Sequence, residues 1–243
     1  MTVYDVASLW IGPELSWMEQ ICLESFLWNG HRTILYLYED VASVPDGVEV
    51  RDARDIMPSD EIIYHVNTGS PAFHSDVFRL RLLDQVDCLW IDTDAYCLKP
   101  FIRRDHGFFF GWGSDRRRII FSGILGLPKD SRTLRSMLEL TKDEYPVPPW
   151  ASKKRQAELQ SLKDNGKGVH MSLMPWGVCG PEALHYFSHE TGEVEHAFDG
   201  PVLYPVPFSS TRSFHRPHIC KGVYNAITEE TLSVHLYGRR FRN

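Results

Sequence analysis

The chain has 243 residues, 43% hydrophobic and 24% charged, enough to bury one substantial core in a large α/β domain or a domain with a small appendage. A net charge of −6 and a pI of about 6.0 argue against a protein that coats nucleic acid. No run of about 18 apolar residues occurs, so no transmembrane helix is expected. The opening MTVYDVASLWIG has no basic segment before an apolar core and does not read as a signal peptide.

The five cysteines (Cys22, Cys88, Cys97, Cys179, Cys220) show no C-x-x-C spacing. They read as reduced thiols of a cytosolic protein, not as a disulfide framework or a zinc site. Aromatics are 12%, with seven Trp, which suits ring or sugar binding and suits a well-filled core equally.

In chain order, Val3 to Trp10 reads as a first strand. Ser16 and Glu19 form a capping box, and Met18, Ile21, Cys22, Ser25 and Phe26 recur at helical spacing until Asn29-Gly30. Thr33 to Tyr38 is a second strand, and VPDGVEV holds a turn and a short third. This β-α-β-β order begins a mostly parallel sheet with covered faces. Ser70-Pro71 opens a helix, Ser as cap and Pro at the first helical position; it runs AFHSDVFRLRLLDQ, with Phe73, Val77, Leu80 and Leu83 as the buried stripe.

Val86 to Ile91 is the next strand. Phe108 to Trp112 and Ile119 to Leu127 are further strands, and SRTLRSMLELTK is an amphipathic helix. Residues 143–170 turn polar and read as an excursion or lid, with a solvated helix and loop as the plain alternative. GPEALHYFSHE is a late helix opened by Gly180-Pro181. The chain closes with TLSVHLYGRRFRN.

Chemistry concentrates where the run CLWIDTDAYCLKP carries a buried strand into Asp92 and Asp94. Ligands of α/β sheets collect at the carboxyl ends of strands. Two carboxylates there repel unless a cation or hydrogen-bond donors offset the repulsion. Their oxygens suit a hard divalent ion, Mg²⁺ or Mn²⁺. A lone Asp-x-Asp is weak, because turns are rich in aspartate; its place after a buried strand strengthens it. Upstream, Asp76 and Arg79 share one helix face on the helix that leads into that strand. They read either as a border of the same cleft or as a local ion pair.

HSDVFRLRLL followed by LWIDTDAYCLKPF resembles the pattern of glycosyltransferase family 32, sugar transferases that bear the D-x-D motif; the large clostridial glucosylating toxins are similar across this segment. Ser75, Asp76, Arg79, Asp92 and Asp94 stand at the shared spacing. SLWIG at 8–12 is similar to the family's first strand, WGVCGPEAL at 176–184 to its Gly-Pro helix start, and SVHLYG at 233–238 to its closing segment. Two positions depart: Val86-Asp87 replaces the usual Gly-Gly, and Tyr237 stands for the common Trp.

The resemblance implies one GT-A (Rossmann-like) α/β domain over 1–243, with a mostly parallel sheet flanked by helices and the excursion at 143–170. It implies a metal-dependent transferase, acting with retention, that moves a hexose or N-acetylhexosamine from a UDP- or GDP-sugar to a glycan or lipid-linked acceptor. With no anchor expected, the setting read from the sequence is the cytoplasm, with peripheral contact at the inner membrane surface as the variant left open. In this reading Asp94 binds Mn²⁺ or Mg²⁺ directly, and Asp92 does so through water or touches the ribose. Asp76 and Arg79 hold sugar hydroxyls, Ser75 borders them, and Trp10 packs on the base beside Ile11 and Gly12. Gly180 and Pro181 lie near the sugar, Tyr237 near the phosphates, and His235 is a metal or pyrophosphate ligand.

Two rivals remain open from the residues alone: a metal-dependent phosphatase or phosphotransferase using the D-x-D, and a non-catalytic sugar-binding module. Arg103-Arg104, Arg116 to Arg118, Lys153-Lys154-Arg155, and Arg239-Arg240 with Arg242 read as solvated faces or as a rim facing an anionic acceptor or membrane.

Overall fold

The computed structural model describes residues 2–59, 61–114, 118–210 and 223–238. The chain runs β1 (Val6–Trp10), α1 (Trp17–Trp28), β2 (Thr33–Leu37), β3 (Glu49–Asp52), α2 (Ala72–Gln85), β4 (Leu89–Ile91), β5 (Ala95–Cys97), β6 (Phe109–Trp112), β7 (Ile120–Gly126), α3 (Arg132–Thr141), α4 (Lys153–Asp164), α5 (Pro181–Thr191), α6 (Gly200–Leu203) and β8 (Ser233–His235).

Six strands form one sheet in the order β3-β2-β1-β4-β7-β6. β1, β2, β3 and β4 are mutually parallel, while β7 runs antiparallel to β4 and to β6. The fold is therefore α/β with a mostly parallel sheet, as the strand order implied. Strands apolar on both sides need helices on both faces. Ala7, Ile34, Tyr36 and Trp90 face a layer built from α2, α3 and α5, including Phe78, Leu134 and Leu184. Val6, Leu35, Leu89 and Ile91 face the other way, toward Leu23 and Phe26 of α1 and toward Leu203 and Tyr204.

The helix signals hold with one shift. Ser16 Oγ accepts the Met18 N–H at 3.3 Å and Glu19 Oε2 accepts the Ser16 N–H at 2.9 Å, the expected capping box. At α2 the first helical residue is Ala72, not Pro71, and Ser70 Oγ accepts the Ala72 N–H at 3.3 Å. Phe73, Val77, Leu80 and Leu83 are buried as expected, but so are Phe78, Leu82, His74, Asp76 and Arg79. A helix with charged residues on its buried side must pair them, and this one does.

Within 143–170, α4 is solvated except for Leu159, which packs with Phe73, Met171 and Met174 in a satellite cluster. Four of the cysteines are free thiols and buried. Among the described residues, no helix is long and apolar enough to cross a membrane. Arg103 pairs with Asp87 at 2.9 Å, and Arg104 lies over the Phe198 ring at 4.3 Å. Lys153, Lys154 and Arg155 are exposed at the start of α4. Arg116, Arg117, Arg239, Arg240 and Arg242 lie outside the described residues.

The sequence reading named neither the short helix α6 nor the strands β5 and β8. β5 pairs antiparallel with β8 in a separate two-stranded sheet, with Ala95 opposite His235. That pairing carries β8 to the end of β4.

Candidate active site at the carboxyl edge of the sheet

β4 ends at Ile91, and the backbone turns at once. The Asp92 N–H donates to the Gly123 carbonyl at 2.6 Å, and the Ala95 N–H donates to the Asp92 carbonyl at 3.0 Å. This tight turn directs Asp92 and Asp94 toward the same space. From β8, His235 Nε2 lies 3.3 Å from Asp92 Oδ2 and 3.2 Å from Asp94 Oδ1. Tyr237 adopts a left-handed φ of 56°, uncommon for a residue with a side chain. The resulting bend lets the Gly238 N–H donate to Asp94 Oδ2 at 2.7 Å, while the Tyr237 N–H donates to His235 Nδ1 at 3.3 Å.

Asp76 and Arg79 join the group from α2. Arg79 Nη2 lies 3.3 Å from both Asp76 Oδ1 and Asp92 Oδ1. Its Nη1 donates to the Ser122 carbonyl at 2.7 Å and to Ser122 Oγ at 2.9 Å, and its Nε donates to the Ser75 carbonyl at 3.3 Å. The guanidinium also sits 4.7 Å from the centre of the Trp90 ring, a cation–π contact, and Trp90 Nε1 donates to Asp92 Oδ1 at 2.8 Å. Every nitrogen of Arg79 is thus engaged with the protein.

These contacts set the charges. Burial works against ionised Asp92, but Arg79 and His235 outweigh it and lower its pKa to about 2. Burial raises Asp94, His235 pulls it back, and the charge of Asp92 raises it further, for a net rise. Burial lifts Asp76 to about 6 against the pull of Arg79, with help from Asp92. Burial disfavours a charged His235, yet Asp94 and Asp92 more than offset this and raise its pKa.

Asp92, Asp94 and His235 offer three donor atoms, all within 4.8 Å of one another. Two carboxylates and an imidazole suit a divalent ion such as Mn²⁺ or Mg²⁺. The space is kept open by a missing side chain: a Cβ on Gly123 would lie 2.7 Å from His235 Nε2 and 3.0 Å from Asp92 Oδ2. The residues present therefore fit the ion.

The cluster forms the floor of a cleft of about 950 Å³, at the upper end of the range for small-ligand sites. Asp76, Arg79, Asp92, Asp94, Pro181, His235 and Tyr237 all line it. Gly180 meets it indirectly, because a Cβ there would lie 2.6 Å from both Asp76 carboxylate oxygens. Ser75 contributes its carbonyl to Arg79. Trp10, Ile11 and Gly12 sit at the end of β1, on the same edge of the sheet, but are not part of the cleft wall. Trp10 packs with the α1-side core and Ile11 with the other layer.

Sequence reasoning passed over Ser122, Gly123, Trp90 and Gly238. The only trace of the first two was a Ser-Gly break inside the otherwise apolar strand at 119–127.

No protein-family model matches the chain, and no curated protein matches it. Among solved structures, PaToxG Glycosyltransferase is similar over 95% of this chain and 81% of its own length, with a TM-score of 0.48 and 14% identity. A likeness at that level transfers no residue roles.

Proposed function

We propose that the chain is a metal-dependent glycosyltransferase of the GT-A type. It moves a hexose or N-acetylhexosamine from a UDP- or GDP-sugar to a glycan or lipid-linked acceptor, with retention at the sugar. The observation that carries the reading is the convergence of Asp92, Asp94 and His235 on one point, in the floor of a cleft that also holds the buried Asp76–Arg79 pair.

Asp92, Asp94 and His235 would hold Mn²⁺ or Mg²⁺, with Mn²⁺ ahead because one donor is an imidazole nitrogen. When bound, the ion offsets the charge that grows on the departing diphosphate. The bond from the sugar C1 to the diphosphate oxygen breaks, the bond from C1 to the acceptor oxygen forms, and the acceptor hydroxyl's proton passes to the departing diphosphate. The role of Arg79 differs from the one implied by resemblance. With all its nitrogens occupied it positions Asp76 and Asp92, and Asp76 is the member of the pair that faces sugar hydroxyls.

A thermal-shift screen of UDP- and GDP-sugars, with and without Mn²⁺, tests the reading. A ligand bound only by the native state raises the melting temperature by mass action. We expect a shift with at least one nucleotide sugar that depends on Mn²⁺. No shift with any of them at millimolar nucleotide and Mn²⁺ overturns the assignment.

A further inference from the structure

The cleft has two chemically different ends. Its floor is charged, whereas its mouth is aromatic: Trp176 is 46% exposed and Phe208 42% exposed, and both line the opening. Among the described residues the lining carries one further acid, Glu182 of α5. Its carboxylate has no hydrogen bond or ion pair to any described residue. We propose that this mouth is an acceptor subsite for a neutral pyranose, with Trp176 as the stacking platform and Glu182 as the hydroxyl acceptor; this rests on the transferase reading of the same cleft.

Trp176 is held in place from behind. Its ring meets His65 edge-on, with centroids 6.0 Å apart and planes at 63°. His65 is buried, stacks on Phe73 at 5.9 Å and has its Nε2 3.1 Å from the Met174 carbonyl. Little side-chain freedom is left to lose when a ligand lands on the indole. Across the mouth, Phe208 and Tyr237 meet edge-to-face at 5.3 Å.

A flat aromatic surface matches the C–H face of a pyranose, and a carboxylate accepts two hydroxyl hydrogens at once. Charge narrows the class. Glu182 shares the cleft wall with Asp76, Asp92 and Asp94, and Arg79, the one Lys or Arg among the described lining residues, is already spent on Asp76 and Asp92, so a phosphate or uronate beside Glu182 meets like charge. Glu182 also lies in the first turn of α5, where an acid is favoured by the helix dipole. That role alone concerns stability and would leave sugar binding unchanged.

The test uses saturation-transfer NMR and titration calorimetry on the whole chain with maltose, lactose, cellobiose and chitobiose, each with Mn²⁺ and UDP or GDP present. At least one disaccharide should bind, and Trp176→Ala and Glu182→Gln should each weaken it at least tenfold, with melting temperature and nucleotide affinity held near wild type. Glucuronic acid should bind at least tenfold more weakly than glucose. If Mn²⁺ and nucleotide bind but no disaccharide does, or if both variants bind sugar as wild type does, the subsite is wrong and the transferase reading stands. If Mn²⁺ and nucleotide fail to bind as well, both readings fall.

Discussion

Gly123 and His235 are so close that a methyl group on the glycine would sit 2.7 Å from the imidazole Nε2. The backbone at Gly123 holds Asp92 through its carbonyl, so the strand cannot retreat without moving the carboxylate. Gly123→Ala should therefore push His235 away from Asp92 and Asp94. Loss of a well-placed partner around a metal commonly costs about 10–100-fold in metal affinity. Calorimetric titration with Mn²⁺ should show a drop of that order; unchanged affinity would mean the ion binds elsewhere.

Asp94→Asn should abolish turnover while leaving the fold intact. Removal of one preorganised charge partner typically costs about 10²–10³ in kcat. Asp94 is a half-buried acid beside another acid, and both desolvation and Asp92 oppose its charge. Neutralising it should leave the melting temperature level or raise it. Donor hydrolysis or transfer near the wild-type rate would refute the role of Asp94.

Arg79 is expected to matter for folding as much as for activity. Its pair with Asp76 is buried on both sides, with side-chain exposures of 7% and 9%. Removing one partner of such a pair costs about 3–5 kcal/mol, because the other charge is left buried and alone. Arg79→Met should show a loss of that size in urea denaturation. Arg32→Met, whose ion pair with Glu49 is far more exposed, should cost under about 1 kcal/mol.

Two buried groups on α2 give opposite pH dependences. His74, which faces the Ile63 N–H and the Tyr38 hydroxyl, is lowered from 6.5 to about 4 by burial and by Arg81. Below pH 6.5 the unfolded chain takes a proton that the folded chain refuses, so this group removes stability as pH falls toward 4. Asp76 is raised from 3.8 to about 6. Its contribution is complete below 3.8 and is lost as pH rises through about 6. The two slopes oppose each other across the same window. Melting temperatures from pH 4 to 7 should show His74→Gln gaining on wild type toward low pH and Asp76→Asn gaining toward high pH. Parallel curves for all three proteins would contradict both assignments.

What could be read from sequence was what neighbouring residues decide. The apolar run into Asp92 and Asp94, the capping box at Ser16 and the AFHSDVFRLRLLDQ helix are local signals, and each has its counterpart in the structure. The pairing of Asp92 with His235 spans 143 residues; no local pattern announces it, and only the resemblance of SVHLYG to a family's closing segment pointed to His235. β5 was hidden for a similar reason: Ala-Tyr-Cys is too short to show alternation, and its partner is as remote as Ser233–His235. Ser122 and Gly123 matter because of what packs on them. Trp10 is half-buried and packs against the α1-side core, a placement that packing across the sheet decides.

All six strands of the main sheet lie within residues 6–126, yet the third donor of the candidate metal centre arrives only with Ser233–His235. A ribosome-bound chain, or one clipped by a protease ahead of that strand, could carry the whole scaffold and both aspartates and still lack the imidazole. Metal binding would then be separable from the sheet itself, lost with β8 while the strands and both aspartates remain.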